Sequence, residues 1–408
     1  MGKLTWIYAD STVEHRSGVE AMLQNDDLKV IEAEERHWGT WNYVAFWLAD
    51  AINIATWMVI SAIISGDGGL SWWEAWLCVW IGYFIVAVFI CISGQTGAVY
   101  HISFPVIGRA SFGIFGSLWP ILNRSIMSCV WYGVQAWMGG QCVVICIRAA
   151  IPSYHYLQNT LPTIVVPMAG LLFFVWVVVK AKGFQPILQQ LAVSSATSTP
   201  TVRIWTWITA IMNSQLGVNI AGNSISAGCD LTAICPKYLN MRRSGYICSI
   251  VGLCICPWYL FSKSSSFISY LSAYSTFVSA IAGVMFSDYY LVRHQYLETD
   301  ELFSGSSDGL YYYTYGINWR AYAAYIAGIL INAAGFVGAI GAHVPLIVTR
   351  MYQFNLFLGI IISGGLYYVL HKLWPVKIYS NKEDKLSHSE VKIVDYVESS
   401  EFITVTRF

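Results

Sequence analysis

The chain contains long, nearly uncharged apolar runs, and these constrain its fold more than any other feature. The clearest is WWEAWLCVWIGYFIVAVFICIS, which begins at Trp72, ends at Ser93 and contains Glu74 as its only charged residue. A helix needs roughly 20 such residues to cross the hydrocarbon core of a bilayer. Backbone polar groups find no water there and must bond to one another, so this run is predicted to be a transmembrane helix.

Other apolar runs follow along the chain, and together they predict an all-α polytopic membrane protein. Of the 408 residues, 56% are hydrophobic and 11% are charged. Soluble domains carry about 25% charged residues, so this composition excludes an ordinary soluble fold. About nine candidate transmembrane helices lie at 43–64, 72–93, 115–148, 164–179, 205–228, 247–261, 267–286, 319–342 and 351–370.

The candidate helices define one transmembrane domain, residues 43–370, between two polar ends. Residues 1–42 form an amino-terminal arm of mixed charge without the apolar core of a secretory signal. Residues 371–408 form a charged tail. Inside the domain, residues 184–204 include a Ser/Thr/Pro-rich stretch, which is typical of a polar linker and not of a membrane helix.

Two polar side chains in the third apolar run mark a candidate binding site. Trp131 and Gln135 lie four residues apart, so on a helix they share one face. An indole offers a flat apolar surface with one N–H donor, and a carboxamide offers both donors and acceptors. Such a pair can stack on and hydrogen-bond a small planar ring such as a nucleobase. Alternatively, Gln135 bonds a neighbouring helix and Trp131 packs.

The first apolar run contains a second polar pair, Asp50 and Asn53, which lie three residues apart. An ionisable group inside a membrane helix is costly and by default marks a site or a pathway. The alternative is that Asp50 lies close enough to the membrane interface to stay hydrated.

Three amides occur in the run 205–228, namely Asn213, Asn219 and Asn223. An unpaired amide facing lipid costs about 1–3 kcal/mol or more, so these side chains must line protein or a cavity. Asn219 has the alternative of a purely structural amide.

The sequence offers no chemistry for an enzyme. It contains no metal-ligand cluster, no phosphate-binding loop and no nucleophile with its base at a recognisable spacing. We therefore predict a non-enzymatic protein with no cofactor, no metal site and no nucleic-acid partner.

Three stretches resemble one transporter family, the nucleobase:cation symporter-1 family, and within it the fungal uracil, uridine and allantoin permease branch. GRASFGIFGSLWP followed by WYGVQAWMGG is similar to the third membrane segment of that family. CDLTAICPKYLNMRRSGYIC and SDYYLVRHQYLETDELF also match the fungal branch. The resemblance implies a LeuT-like inverted-repeat fold of five, five and two helices, in a multi-pass protein of the plasma membrane with both termini in the cytoplasm.

The resemblance also implies roles for polar residues. Trp131 and Gln135 would hold the substrate ring, Asn53 would face it, and Asn223 would hydrogen-bond it.

The connection 94–112, with its Arg109, is expected to be a cytoplasmic loop, because loops rich in Lys and Arg stay on that side. The same rule marks a later cytoplasmic loop that contains Lys237, Arg242 and Arg243.

The cation site implied by the resemblance lies at a break in the first helix. Unwound backbone there would offer the carbonyl groups of Ala49 and Ile52 to a cation. Gly217 and Val218 stand where sodium-coupled relatives have hydroxyls, which favours a proton over sodium. Asp50 is the nearest candidate proton carrier.

The chain departs from the family pattern in two places. The match to the fifth family segment follows almost directly on the loop after the third, so the fourth is missing. The linker 184–204 stands where the sixth and seventh segments belong. We therefore expect an incomplete form of the fold. The predicted function is a permease that imports uracil, allantoin, uridine or a related ring by proton symport. The alternative is a non-transporting paralogue or an incomplete gene model of such a permease.

Overall fold

In a computed structural model of the chain, the described residues are 18–51, 60–61, 63–64, 69–150, 219–257, 264–339 and 341–376. Regular structure in this part is helical, apart from one isolated β-bridge between Thr314 and Ile317. The prediction of an all-α protein is confirmed. The candidate helix at 164–179 and the linker 184–204 lie outside the described residues, as do residues 52–59 and 62 of the candidate helix at 43–64 and residues 205–218 of the one at 205–228.

The helices differ widely in length, from one or two turns to the 33 residues of α5. The helices are α1 (Gly18–Leu23), α2 (Thr40–Ala51), α3 (Trp72–Tyr100), α4 (Phe104–Phe112), α5 (Leu118–Ala150), α6 (Ile225–Ile234), α7 (Met241–Cys254), α8 (Ser264–Phe286), α9 (Trp319–Ala339), α10 (Leu346–Tyr352) and α11 (Asn355–Leu373). Two π-helical turns adjoin them, Asn219–Ser224 before α6 and Ser287–Val292 after α8.

Four stretches of the described part are long and apolar enough to cross a membrane. They are Trp72–Tyr100, Ala273–Val292, Trp319–Ala339 and Asn355–Leu373. In α3 the large side chains are exposed, for example Trp80 at 63% and Phe84 at 70%. Hydrocarbon covers such a surface at no desolvation cost, which is why a chain of this composition tolerates it.

The connection between α3 and α5 is more ordered than the sequence indicates. Residues 94–112 are predicted as a loop, but α3 continues to Tyr100 and α4 occupies Phe104–Phe112. Arg109 is 2% exposed and donates to the carbonyl oxygen of Leu302 at 3.0 Å. The prediction of a loop is wrong here, since most of this connection is helical and the Arg109 guanidinium is held by a buried backbone acceptor.

Helix ends near the polar regions also shift. The last helix ends at Leu373, three residues into the stretch assigned to the tail. Helix α7 begins at Met241, before the predicted start at 247. Two side chains cap its first turn: Asn240 accepts from the backbone N–H of Arg243 at 3.0 Å, and Asp27 accepts from that of Met241 at 2.9 Å.

The chain divides into two compact units. The first comprises Met1–Cys91 and Leu118–Leu271, and the second comprises Ile92–Ser117 and Ser272–Phe408. In the first unit α5, α6 and α7 pack against one another. Helices α5 and α7 meet backbone to backbone, since a Cβ on Gly252 would lie 2.9 Å from the backbone nitrogen of Gly133. Small residues permit this close approach, as is common between membrane helices.

The second unit packs in the same way, on small residues of α8, α9 and α11. A Cβ on Gly328 of α9 would lie 2.9 Å from the Cβ of Ala280 and 3.1 Å from the carbonyl oxygen of Gly359. The surrounding core of this unit is apolar and aromatic. Its buried residues are Phe112, Ala280, Ile281, Val284, Ala321, Ala324, Tyr325 and Tyr367.

A buried ion pair lies at the centre of the second unit. The side chains of Asp288 and Arg293 are each 1% exposed, and Nε of Arg293 lies 3.0 Å from Oδ2 of Asp288. Ser111 donates to the same carboxylate at 3.1 Å and Tyr367 donates to it at 2.7 Å. Arg293 also donates to the hydroxyl oxygen of Tyr313 at 2.6 Å. These bonds join α4, the π-helical turn after α8 and helix α11 around one carboxylate.

Candidate functional site

Helix α5 carries the two residues that the sequence predicts as the ring-binding pair. Both lie in regular helix, so Trp131 and Gln135 share one face as the spacing predicts. Gln135 is 4% exposed, and Trp131 is half-buried. A buried carboxamide with a half-buried indole one turn away can hydrogen-bond and stack on a small planar ring.

The π-helical turn Asn219–Ser224 packs against α5. Asn219 is fully buried, and its amide donates to the backbone carbonyl oxygen of Tyr132 at 3.2 Å. Asn223 is half-buried and donates to Oδ1 of Asn219 at 3.0 Å. Because Tyr132 lies between Trp131 and Gln135 in sequence, these bonds hold the amide pair beside the candidate ring-binding segment.

The carboxylate of Asp50 lies near the same turn. Asp50 is half-buried at the end of α2, and a Cβ on Gly222 would lie 3.9 Å from its Oδ1. The carboxylate therefore lies within van der Waals reach of residue 222, on the turn that also carries Asn223. The structure brings Asp50, the amide turn and α5 together in the first unit, although these residues are far apart in sequence.

Several predicted site residues lie outside the described residues. These are Asn53, Ile52, Asn213, Gly217 and Val218. Ala49 lies within the helical part of α2. The predicted helix break and its cation ligands therefore stay a prediction.

A buried ion pair that the sequence analysis missed lies between α5 and α6. Arg124 donates to both carboxylate oxygens of Asp230, with Nε 2.7 Å from Oδ2 and Nη2 2.5 Å from Oδ1. The Asp230 side chain is fully buried and that of Arg124 is 32% exposed. The sequence held a partial signal, because Arg124 is a charged residue inside the predicted run 115–148, but it did not indicate Asp230 as the partner.

The first unit thus brings together groups that can stack on and hydrogen-bond a small ring. It combines an aromatic face, a buried carboxamide, a hydrogen-bonded amide pair and one half-buried carboxylate. Amides discriminate the donor and acceptor pattern of a ring edge, and an indole contributes stacking area.

A family profile described as permease for cytosine/purines, uracil, thiamine, allantoin matches residues 30–210 and 193–359. An uncharacterized permease of Schizosaccharomyces pombe is 36% identical, with 89% of this chain and 82% of the relative covered. The uridine permease of Saccharomyces cerevisiae is 31% identical, with 87% of this chain and 75% of the relative covered. Both alignments are longer than the 408 residues of this chain, at 487 and 488 residues.

A solved structure shares the fold. It is that of Mhp1, a nucleobase-cation-symport-1 family transporter, in a closed conformation with bromovinylhydantoin bound. The TM-score is 0.66 at 16% sequence identity, and the match covers 89% of this chain and 99% of Mhp1.

We expect alanine substitutions of Asn219 and Asn223 to differ in their effect on the free energy of unfolding. Asn219→Ala removes a fully buried amide that bonds to two groups, and should lower the free energy of unfolding by about 1–2 kcal/mol. Asn223→Ala removes a half-buried donor and should cost less. Unfolding of the purified variants in detergent checks this order, and a larger loss for Asn223→Ala would contradict it.

Proposed function

The chain belongs to the permease family for cytosine/purines, uracil, thiamine and allantoin, and on that premise we propose that it binds a small planar nucleobase-like ring for import by cation symport. The candidate rings are uracil, uridine and allantoin. The observation that carries the proposal is the hydrogen bond from the amide of Asn219 to the Tyr132 carbonyl. This bond ties the turn that carries Asn223 to the segment of α5 that carries Trp131 and Gln135.

Several sequence predictions are confirmed by family and fold. The chain has the LeuT-like fold of a nucleobase-cation-symport-1 transporter. It is a multi-pass integral membrane protein of a kind typical of the plasma membrane. Its relatives are permeases and transporters, not enzymes.

A proton is our proposed coupling ion, with Asp50 as its carrier. The support is that the carboxylate of Asp50 lies near Gly222. Gly222 belongs to the turn that also carries Asn223. A carboxylate that must be protonated before the ring binds links the two substrates directly. Sodium is disfavoured because Gly217 and Val218 offer no hydroxyl ligands.

We further propose that this chain lacks helices that its relatives contain. An alignment of 487 residues with a chain of 408 requires internal gaps in the shorter partner. The family profile matches in two stretches that overlap at residues 193–210, at the polar linker assigned to 184–204. Both observations support missing segments. They favour the second candidate function, a non-transporting paralogue or an incomplete gene model of such a permease.

The first test concerns the ring-binding face. Trp131→Ala and Gln135→Ala should each weaken binding of labelled uracil, uridine or allantoin to the purified chain about ten- to hundredfold, since each removes about 1–3 kcal/mol of stacking or desolvated hydrogen bonding. Trp119→Ala is the matched control, because Trp119 lies on the same helix with 43% exposure. Unchanged affinity in both site variants would refute the assignment.

A second test separates the two ions. Ring affinity should be flat across a sodium series at fixed pH. It should fall as pH rises, because deprotonated Asp50 no longer supplies its proton. Asp50→Asn mimics the protonated carboxyl and should abolish that pH dependence. Affinity that rises with sodium would overturn the proton proposal.

A third test concerns transport itself. The second candidate function predicts that the 408-residue chain shows no saturable uptake in cells that lack their own uracil, uridine and allantoin permeases, whereas the first predicts saturable uptake. The missing segments are one helix of the first inverted repeat and the two opening helices of the second. Without them the two repeats cannot enclose a transport pathway. Uptake of labelled rings is measured alongside surface delivery, and saturable uptake above the empty-vector level would show that the missing segments are dispensable.

A further inference from the structure

The ion pair between Arg124 and Asp230 joins the two elements that carry the candidate site residues. Helix α5 bears Arg124, Trp131 and Gln135, and the turn with α6 bears Asn219, Asn223 and Asp230. The pairing is bidentate, with both carboxylate oxygens accepting at 2.7 and 2.5 Å. Two parallel bonds between planar groups fix orientation as well as distance, which a single bond does not.

The spacing of these residues places the ion pair in register with the site. Trp131 lies seven residues after Arg124, and Asn223 lies seven residues before Asp230. Seven residues are about two helical turns, so on α5 the indole and the guanidinium share a face. A second tie, from Asn219 to the Tyr132 carbonyl, lies farther along both elements. The two ties therefore fix an antiparallel register, with Trp131 between them on α5.

A change of register would separate the site residues. Packed helices slide by discrete steps, of which one turn is about 5.4 Å. Such a step exceeds the length of a hydrogen bond, so Asn223 and Gln135 could not contact the same small ring after it.

We propose that Arg124 and Asp230 are positioning residues that hold α5 and the turn before α6 in the one register that lets both contact the ring. This inference rests on the proposed function, since it concerns the same site. Both carboxylate oxygens of Asp230 accept hydrogen bonds from the guanidinium of Arg124. The pair therefore acts as a fixed clamp and not as a proton carrier.

The second unit supplies a matched control. Asp288 and Arg293 form another buried aspartate–arginine pair, but neither lies on α5 or α6. Loss of its geometry should affect folding without a specific effect on the ring site.

The test is ring binding by the purified full-length chain. Arg124→Lys keeps the charge but loses the planar guanidinium that makes two parallel hydrogen bonds. It should raise the dissociation constant for labelled uracil, uridine or allantoin about tenfold. The inverted pair Arg124→Asp with Asp230→Arg should bind more tightly than either single variant. Arg293→Lys should lower the melting temperature and leave the dissociation constant unchanged. Unchanged affinity in Arg124→Lys, or no gain from inversion, would overturn the clamp.

A distance measurement keeps the inference testable without substrate. Nitroxide labels on Ile126→Cys and Ile225→Cys, at exposed positions of α5 and α6, report the register in an otherwise cysteine-free chain. Arg124→Lys should shift or broaden their distance distribution, and Arg293→Lys should not. If the wild-type chain binds none of the rings, the proposed function fails, but the label distance still tests whether Arg124 and Asp230 hold the register. An unaltered distance distribution in Arg124→Lys would refute that positioning role.

Discussion

The membrane interior offers polar groups no hydrogen-bond partner, so a polar side chain placed there must find one within the protein. Two described contacts of the first unit illustrate this constraint. Asn219 bonds to a backbone carbonyl of α5, and Asp230 bonds to Arg124 through both oxygens. Each of these contacts joins two elements, so satisfying the polar group also fixes how the helices pack. The candidate site is a consequence of this arrangement.

Small residues supply the complementary half of the packing. Lipid tails are as apolar as leucine, so membrane helices gain little from burying large apolar side chains against one another. Close backbone approach gives dispersion contacts instead, as at Gly133 and Gly252 in the first unit and at Gly328 and Gly359 in the second. Large apolar side chains such as Trp80 and Phe84 are left to face outward.

The two buried aspartate–arginine pairs show the same chemistry in two settings. Asp288 accepts from Arg293, Ser111 and Tyr367, and so draws three elements of the second unit together. Asp230 accepts from one arginine and joins two helices of the first unit. Breaking a buried pair leaves an uncompensated buried charge, which is strongly destabilising. Each pair therefore holds its elements in one packing arrangement, although the intact pair adds little to the net free energy of folding. The two pairs differ in which elements they join.

The sequence by itself determined the class of this protein, because apolar runs, their length and their scarcity of charge leave only membrane helices as a solution. It also determined the face shared by Trp131 and Gln135, since helical spacing is local. Tertiary structure decided everything that depends on which helices meet. Spacing along the chain carries no information on the pairing of Arg124 with Asp230, which are 106 residues apart. The burial of Arg109 was likewise decided by packing, through a carbonyl acceptor 193 residues away. A local pattern fixes the direction of a side chain on its own helix, and only the packed fold supplies its partner.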